Sequence, residues 1–438
     1  MKEELLQFIW RLQYFNQQEL ITETGEPLQI LLPGELNTHQ GPDFLNAQVR
    51  IGNTLMAGSV ELHVIASDWK RHAHEEDIHY RNVILHVVWE NDHNKDNGAI
   101  KDPPPERPIP LLVLQHRVPK LLLGQYEKWM KSPAFIPCER VVAKVPTPLW
   151  TGWKQQLLNQ RLQRRALHIR SCLEQNQQDW EETTWWLMAR NFGLPVNGMA
   201  FEAIGRSLPI RLLARRRGEP FPLEALLLGQ AGLLEAPLGS AYPQSLQKEY
   251  RYLQKKHHLS PIPIPLSFLR MRPAHFPTIR LAQLAVLLSR RTAWFAAIRA
   301  AASSGDIIDW LQVEAAGYWV DHYMLDREPA SIHPKKLGKF MINSLLINTF
   351  VPLLFAVGSL RGESACRDKA FRWLQEAEAE KNALLSGWTR IGVDNRNAAD
   401  SQSLLELKAH YCGPKKCLDC AIGQALLGRQ VITDNRDL

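Results

Sequence analysis

The chain has 438 residues, of which 45% are hydrophobic and 22% charged, with 14 tryptophans; this excludes a disordered chain and leaves room for two or three packed domains. The net charge of +7 suits a polyanionic partner such as nucleic acid without requiring one. The opening MKEELLQFIWRLQYF carries early charges and lacks an apolar run ending in a small-residue cleavage site, so a cytoplasmic location is expected.

Leu5, Leu6, Ile9, Trp10 and Leu12 recur at helical spacing and predict a helix over residues 2–16. Strands are expected at 20–22 and 28–32, on either side of a Thr24-Gly25 turn. The run GPDFLNAQVRIGNTLMAGSVELHV, residues 41–64, alternates like a β-hairpin. Closed by a three-residue loop, Gly52–Thr54, it places Asp43 opposite His63 and Leu45 opposite Glu61. Asp43, Glu61 and His63 then share one end of one face; an even loop sends Asp43 to the other face.

Two carboxylates beside an imidazole suit a divalent cation. Oxygen donors hold Mg²⁺ or Mn²⁺, the ion acidifies a bound water, and the base orients or deprotonates that water. The plainer reading is a turn capped by Asp43 and a buried hydrogen-bonded pair of Glu61 and His63. Glu35, Asn37, His39 and Gln40 lie in a loop able to reach the same end of the sheet.

Ser67-Asp68 has helix N-cap chemistry, and WKRHAHEEDIHYRN reads as a polar helix with His72 and His79 on one face and His74 beside Asp77. A solvated face is expected; the alternative is that His72 or His74 joins the hairpin acids. VILHVVWE (83–90) reads as a buried strand with His86 as a core histidine, and a proline-rich loop at 102–110 leads to a strand at 111–115. These elements make an α/β domain over residues 1–135.

Pro42-Asp43 followed by Glu61-Leu62-His63, on this element order, resembles the PD-(D/E)XK nuclease core with its αβββαβ order. The resemblance implies a restriction-endonuclease-like sheet and a metal-dependent nuclease or phosphodiesterase acting on nucleic acid. Asp43 and Glu61 then bind Mg²⁺ or Mn²⁺, and His63 orients water or substrate where the superfamily usually has lysine. An imidazole of pKa about 6.5 is often neutral where a lysine is charged, so the departure bears on cleavage more than on metal binding. The alternative is a non-catalytic nucleic-acid-binding or scaffold protein on a degenerate nuclease-like fold.

From 149 to 380 helical patterns dominate, giving a second, mainly α-helical domain. Met341–Leu360 is uncharged and about long enough to span a bilayer. Its Asn343, Ser344, Asn348, Thr349 and Pro352 favour a buried helix and turn instead, with no membrane partner. Arg161, Arg164 and Arg165, then Arg215–Arg217, then Lys255 and Lys256 form basic clusters that could meet phosphates or simply favour helix C-termini. Trp185-Trp186 reads as helix packing rather than a base-stacking platform.

Without an export signal, the six cysteines are not expected to form disulfides. The tail, 381–438, contains HYCGPKKCLDCAIG, in which Cys412, Cys417 and Cys420 have metal-ligand spacing. Cys138, His410 and Cys366 are candidates for a fourth ligand, Cys138 being preferred because it would staple the tail to the α/β domain. Structural Zn²⁺ is expected; an iron–sulfur cluster is the alternative, since some PD-(D/E)XK nucleases hold one through one distant and three clustered cysteines. The fold class is thus α+β and multidomain, with a Cys-rich C-terminal metal staple. Through GPDFLNAQV, GSVELHVIASDWKRHAH, YRNVILHVVWEND, EALLLGQAGLL and YCGPKKCLDCAIG the chain also resembles a bacterial family of unknown function, DUF2851, over nearly its whole length. That resemblance implies no particular activity.

Overall fold

In the computed structural model, residues 1–74, 77–92, 109–315, 317–330 and 332–434 are described. Most of the proline-rich loop expected at 102–110 lies outside them. The chain divides into two units, Met1–Trp153 with Leu407–Leu438, and Lys154–Glu406. Residues 381–406 thus belong to the second unit, and the chain returns to the first at Leu407. The architecture is α+β: a mixed sheet in the first unit and a helical second unit.

In the first unit, helix α1 spans Glu3–Arg11 and buries Leu5, Leu6, Phe8, Ile9 and Trp10. It is shorter than the apolar spacing suggested, because Gln13 adopts a left-handed φ of 55° that ends the helical ladder. The sheet contains β1 (Leu28–Leu32), β2 (Glu35–Leu36), β3 (Phe44–Ile51), β4 (Thr54–Ile65), β5 (Val83–Glu90) and β6 (Leu111–Val113). Their order is β1-β3-β4-β5-β6, with β2 also on β3. β3 runs antiparallel to β1, β2 and β4, whereas β4-β5 and β5-β6 are parallel. Residues Gly58–His63 of β4 are all buried, as a strand covered on both faces must be.

The hairpin differs from its expected register. Ile51 pairs with Thr54, so only Gly52 and Asn53 form the loop, with Gly52 at a φ of 55°. That even loop alone would turn Asp43 away from Glu61. A bulge between Phe44 and Ala47, with Asn46 at a φ of 59°, adds a residue to β3 and brings Phe44 opposite Val60. Asp43 therefore faces Glu61 rather than His63, and Leu45 pairs with Glu35 of β2 rather than with Glu61. Asparagine is one of the few side chains that tolerate left-handed backbone.

The polar helix expected after β4 is also replaced. Helix α2 covers only Asp68–Arg71, and Ala73 then takes a left-handed φ of 53°. A 3₁₀ turn at Ile78–Tyr80 leads into β5. The chain thus folds back over the sheet instead of projecting a solvated helix. Helix α3 (Lys120–Lys131) follows β6.

Helix α4 (Thr147–Gln175) leads into the second unit, followed by α5 (Trp180–Phe192) and α6 (Leu194–Ser207). Asp179 caps α5 by accepting from the Glu182 amide at 3.1 Å. Trp185 is buried and donates to the Gly205 and Leu208 carbonyls at 2.9 and 2.8 Å, while Trp186 donates to Glu182 at 2.8 Å under the Arg206 guanidinium. Both tryptophans are packing residues. The apolar stretch Lys339–Leu360 is long and apolar enough to cross a membrane, but 78% of its most apolar window is buried inside the protein. It is one continuous helix with no turn, because a π-helical segment at Leu346–Phe350 precedes Pro352. Proline cannot bond the carbonyl four residues back. That carbonyl, of Asn348, instead accepts from Asn191 at 3.2 Å and Arg165 at 3.4 Å, and Arg165 also holds the Asn348 side chain at 2.8 Å.

Candidate functional site

The site grows from the bulged end of β3 and the buried middle of β4. The Asp43 amide donates to Glu61 Oε2 at 2.9 Å, and the Leu62 amide donates to Asp43 Oδ2 at 3.0 Å. From α1, Gln7 Nε2 donates to Asp43 Oδ1 at 2.8 Å. Both Asp43 oxygens are thus engaged, and Asp43 acts as the clamp that orients Glu61. The other Glu61 oxygen, Oε1, turns to the histidines.

His63 follows Glu61 by two residues and shares its face of the sheet. Its Nε2 lies 3.6 Å from Glu61 Oε1, and His74 Nε2 lies 3.5 Å from the same oxygen. The two Nε2 atoms are 3.3 Å apart. Three donors at that mutual spacing match the edges of a tetrahedron around an ion with bonds of about 2.0–2.1 Å, whose edges are about 3.3–3.4 Å. His72 completes the group: His63, His72 and His74 each offer a nitrogen within 4.8 Å of the others.

His86 stands beside Glu61 on the parallel strand β5, and its Nε2 is 2.8 Å from His63 Nδ1. When His63 Nδ1–H donates to His86, Nε2 presents a lone pair toward Glu61 and His74, the outer-shell arrangement that sets a metal-binding tautomer. Tyr80 stacks on His74 with centroids 3.8 Å apart, and Trp69 meets His63 and His74 edge-on. Depth is graded. His63 is 1% exposed and Glu61 4%, whereas His74 is partly buried and His72 is exposed, so the group opens to solvent on the His72 side.

Among the described residues no lysine or arginine pairs with the two carboxyl groups. Burial, and next the neighbouring Asp43 carboxylate, raises Glu61 well above the usual carboxylate range; burial raises Asp43 as well. Burial first, then His86, His74 and His72, drives His63 down to about 3, and burial with His72 lowers His74. Both shifts favour the neutral imidazole at His63 and His74, the form that binds metals. Burial, followed by the Glu61 and Asp43 charges, pushes Tyr80 up to about 12.

Of the residues singled out from sequence, Asp43, Glu61 and His63 come together, though through another register. His72 and His74, expected on a solvated helix, flank His63; His79 instead pairs with Asp77 at 2.7 Å in an exposed turn. The signal available was the His-x-His spacing, which puts two side chains on one side of an extended or turning chain but not of a helix. Asn37 serves its own loop, donating to the Pro42 and Gln40 carbonyls, and Glu35 and His39 are exposed. Cys138, Cys412, Cys417 and Cys420 all fall in the first unit, whereas Cys366 lies in the second, its thiol 3.5 Å from Glu363. His410 is exposed. Arg161 and Arg164 pair with the buried Glu406, so the first basic cluster is structural; Arg215 and Arg217 remain exposed.

Residues 3–383 match the model of a family described as proteins of unknown function, DUF2851. The chain belongs to the DUF2851 family. No curated protein and no solved structure matches it. In this DUF2851 protein the matched span holds the whole carboxylate–histidine group and Cys138, but ends before Cys412, Cys417 and Cys420.

Proposed function

We propose that this DUF2851 protein is a divalent-metal-dependent phosphodiester hydrolase acting on nucleic acid, with Glu61, His63 and His74 as the inner ligands. The observation that carries the reading is the mutual spacing of Glu61 Oε1, His63 Nε2 and His74 Nε2, 3.3–3.6 Å, around a point open toward His72. The element order α1, β1, β3, β4, α2, β5, set aside the short β2, supports a PD-(D/E)XK-like, restriction-endonuclease-like core, and the net charge of +7 favours a polyanionic substrate.

When bound there, a divalent ion would acidify a water and offset charge on a phosphate. Imidazole donors favour Mn²⁺ over Mg²⁺ at such a site, and admit Zn²⁺. Asp43, held by Gln7 and the Leu62 amide, orients Glu61 rather than binding first. His86 fixes the His63 ring through Nδ1. His72, the exposed member, is placed to meet the substrate or take a proton from the attacking water. His63, in the position usually given to lysine, acts here as a ligand and leaves charge stabilisation to the ion.

The test is incubation of the full chain with labelled single- and double-stranded DNA and RNA, with Mn²⁺, Mg²⁺ or Zn²⁺ added to metal-depleted protein. Cutting that needs the ion and disappears in Glu61→Ala and His74→Ala supports the reading. Nucleic acid that is bound with salt-sensitive affinity but never cut supports the non-catalytic alternative.

A further inference from the structure

We propose that a basic pocket beside α1, separate from the carboxylate–histidine group, binds a nucleoside phosphate, either free or as the end of a nucleic-acid strand. The pocket belongs wholly to the first unit and has a volume of about 580 Å³, within the range of small-ligand sites. Neither Glu61 nor any histidine lines it.

Leu5, Leu6, Ile9 and Trp10 turn α1 toward the protein interior. Glu4, Gln7, Phe8 and Arg11, at helical spacing, share another face and form one wall of the pocket. Tyr126 and Met130 of α3, Leu36 of β2 and the stretch 414–419 contribute the rest. Four basic side chains, Lys2, Arg11, Lys415 and Lys416, line it against two acidic ones, Glu4 and Asp419. Among the described residues Lys2, Arg11 and Lys416 make no ion pair, whereas Arg161 and Arg164 are neutralised by Glu406.

The backbone is shaped to bring the two adjacent lysines together. Successive side chains of an extended strand point to opposite sides. Lys415 instead takes a left-handed φ of 57°, which a lysine does not favour on its own. The Lys416 amide donates to the Tyr411 carbonyl at 2.8 Å and the Cys417 amide to the Lys415 carbonyl at 2.9 Å, and in this tight turn both lysines line the pocket. The Lys415 ammonium donates to the Met130 carbonyl at 2.5 Å, which anchors it to the end of α3 and leaves two N–H groups for a ligand.

The mixture of groups selects the ligand. An excess of cations suits a phosphate, which guanidinium and ammonium groups bind well. Inorganic phosphate alone would leave Glu4 and Asp419 opposing it, whereas a ligand with hydroxyl and amino donors satisfies both carboxylates. Phe8, Leu36, Met130, Pro414 and Leu418 supply apolar surface for a flat ring. Anion, hydrogen-bond donors and an apolar ring occur together in a nucleotide.

Gln7 is the wall shared with the candidate hydrolytic site. Its Nε2 donates to Asp43 Oδ1 at 2.8 Å, so its carbonyl oxygen and second N–H stay available to the pocket. Leu36 pairs with Phe44, and the amide of Asn37 donates to the Asp43 carbonyl at 2.7 Å. A nucleotide in the pocket is thus one side chain away from the residue that orients Glu61. A strand held there by its end would offer an inner phosphate to the metal ligands, and this extension alone rests on the hydrolytic reading.

The test is calorimetric titration of the metal-depleted full chain with AMP, CMP, GMP and UMP, with adenosine, with inorganic phosphate, and with short oligonucleotides with and without a terminal phosphate. At least one nucleotide should bind with an affinity that falls as salt rises, and adenosine and inorganic phosphate about tenfold or more weaker. Lys416→Glu, at an exposed position that the fold tolerates, and Arg11→Ala should each weaken nucleotide binding about tenfold or more. Lys336→Ala, in the second unit, and Glu61→Ala should leave it unchanged. The Glu61→Ala arm separates the two sites, since a failed hydrolytic reading leaves nucleotide binding intact. Preference for the phosphorylated oligonucleotide identifies a strand end as the occupant; nucleotide binding without that preference identifies the free nucleotide. No binding of any nucleotide and no preference for a terminal phosphate, or wild-type affinity in both Lys416→Glu and Arg11→Ala, overturns the proposal.

Discussion

Glu406 in the helical unit and Glu61 in the sheet unit are both almost wholly buried, at 0% and 4% exposure, yet their neighbours are opposites. Glu406 faces the guanidinium groups of Arg161 and Arg164, and Gln402 completes the shell around Arg161. Glu224, also buried in the helical unit, accepts from Trp319 and Tyr242 at 2.8 and 3.0 Å. Glu61 faces a second carboxylate and neutral imidazoles. Among the described residues no lysine or arginine pairs with Glu61 or Asp43. The helical unit uses its buried charges to hold helices together, while the sheet unit sets two carboxyl groups, both pushed up by burial, against neutral donors. A buried carboxylate without a countercharge is pushed toward its neutral form, so the proposed function requires a bound divalent cation to hold Glu61 ionised.

That contrast can be broken experimentally. The largest effect is expected at Glu61: Glu61→Ala should lower metal-dependent cutting by about 10³-fold or more, since the ion supplies several kcal/mol of charge stabilisation. Its thermal unfolding should change little or improve, because removing Glu61 also relieves its repulsion with Asp43. A strongly destabilised Glu61→Ala chain would make Glu61 a structural residue like Glu406. Glu406→Ala should do the reverse, destabilising the helical unit by about 3 kcal/mol because two arginines lose their partner. Denaturant melts would read this out, with cutting retained by the protein still folded.

Glu224 gives the pH signature of the helical unit. Burial raises it from 4.5 to about 7, outweighing its two donors. The folded chain therefore keeps a proton that the unfolded chain releases, and stability present below pH 4.5 is lost as pH rises through about 7. The loss should approach roughly 3 kcal/mol at pH 8 and be absent from Glu224→Gln, which retains the accepting oxygen. A Glu224→Gln chain with an unaltered pH–stability profile would contradict this. The smallest effect belongs to His86. His86→Phe removes the partner of His63 Nδ1 and should weaken metal binding by about tenfold to a hundredfold, measured by calorimetric Mn²⁺ titration. No change would mean that His86 only fills the core.

Much of the fold was legible. The strand at 83–90 needed only its β-branched run, and Asp43, Glu61 and His63 were identifiable as polar residues in an apolar hairpin. Their partnership was reached through the wrong loop, since neither the two-residue turn nor the bulge at Asn46 has a periodic signature. His72 and His74 were misplaced because WKRHAHEEDIHY satisfies helical spacing locally. What stops the helix is Ala73 in a left-handed conformation, which alanine does not favour on its own. The next residue, His74, packs against His63, Trp69 and Tyr80, contacts that offset the cost.

The sequence by itself determined where apolar periodicity changes from two to 3.6, and hence the division into sheet and helices. It also fixed the chemical types available at Asp43, Glu61, His63 and the four cysteines. Tertiary structure alone decided which of these meet. One bulged residue reversed the face of Asp43, a left-handed Ala73 ended the helix between two histidines that both flank His63, and the return of the chain at Leu407 brought three cysteines into the unit that contains Cys138. Periodicity is a local property of the chain. Register and chain return are settled by the burial of residues distant in sequence, which no local pattern records.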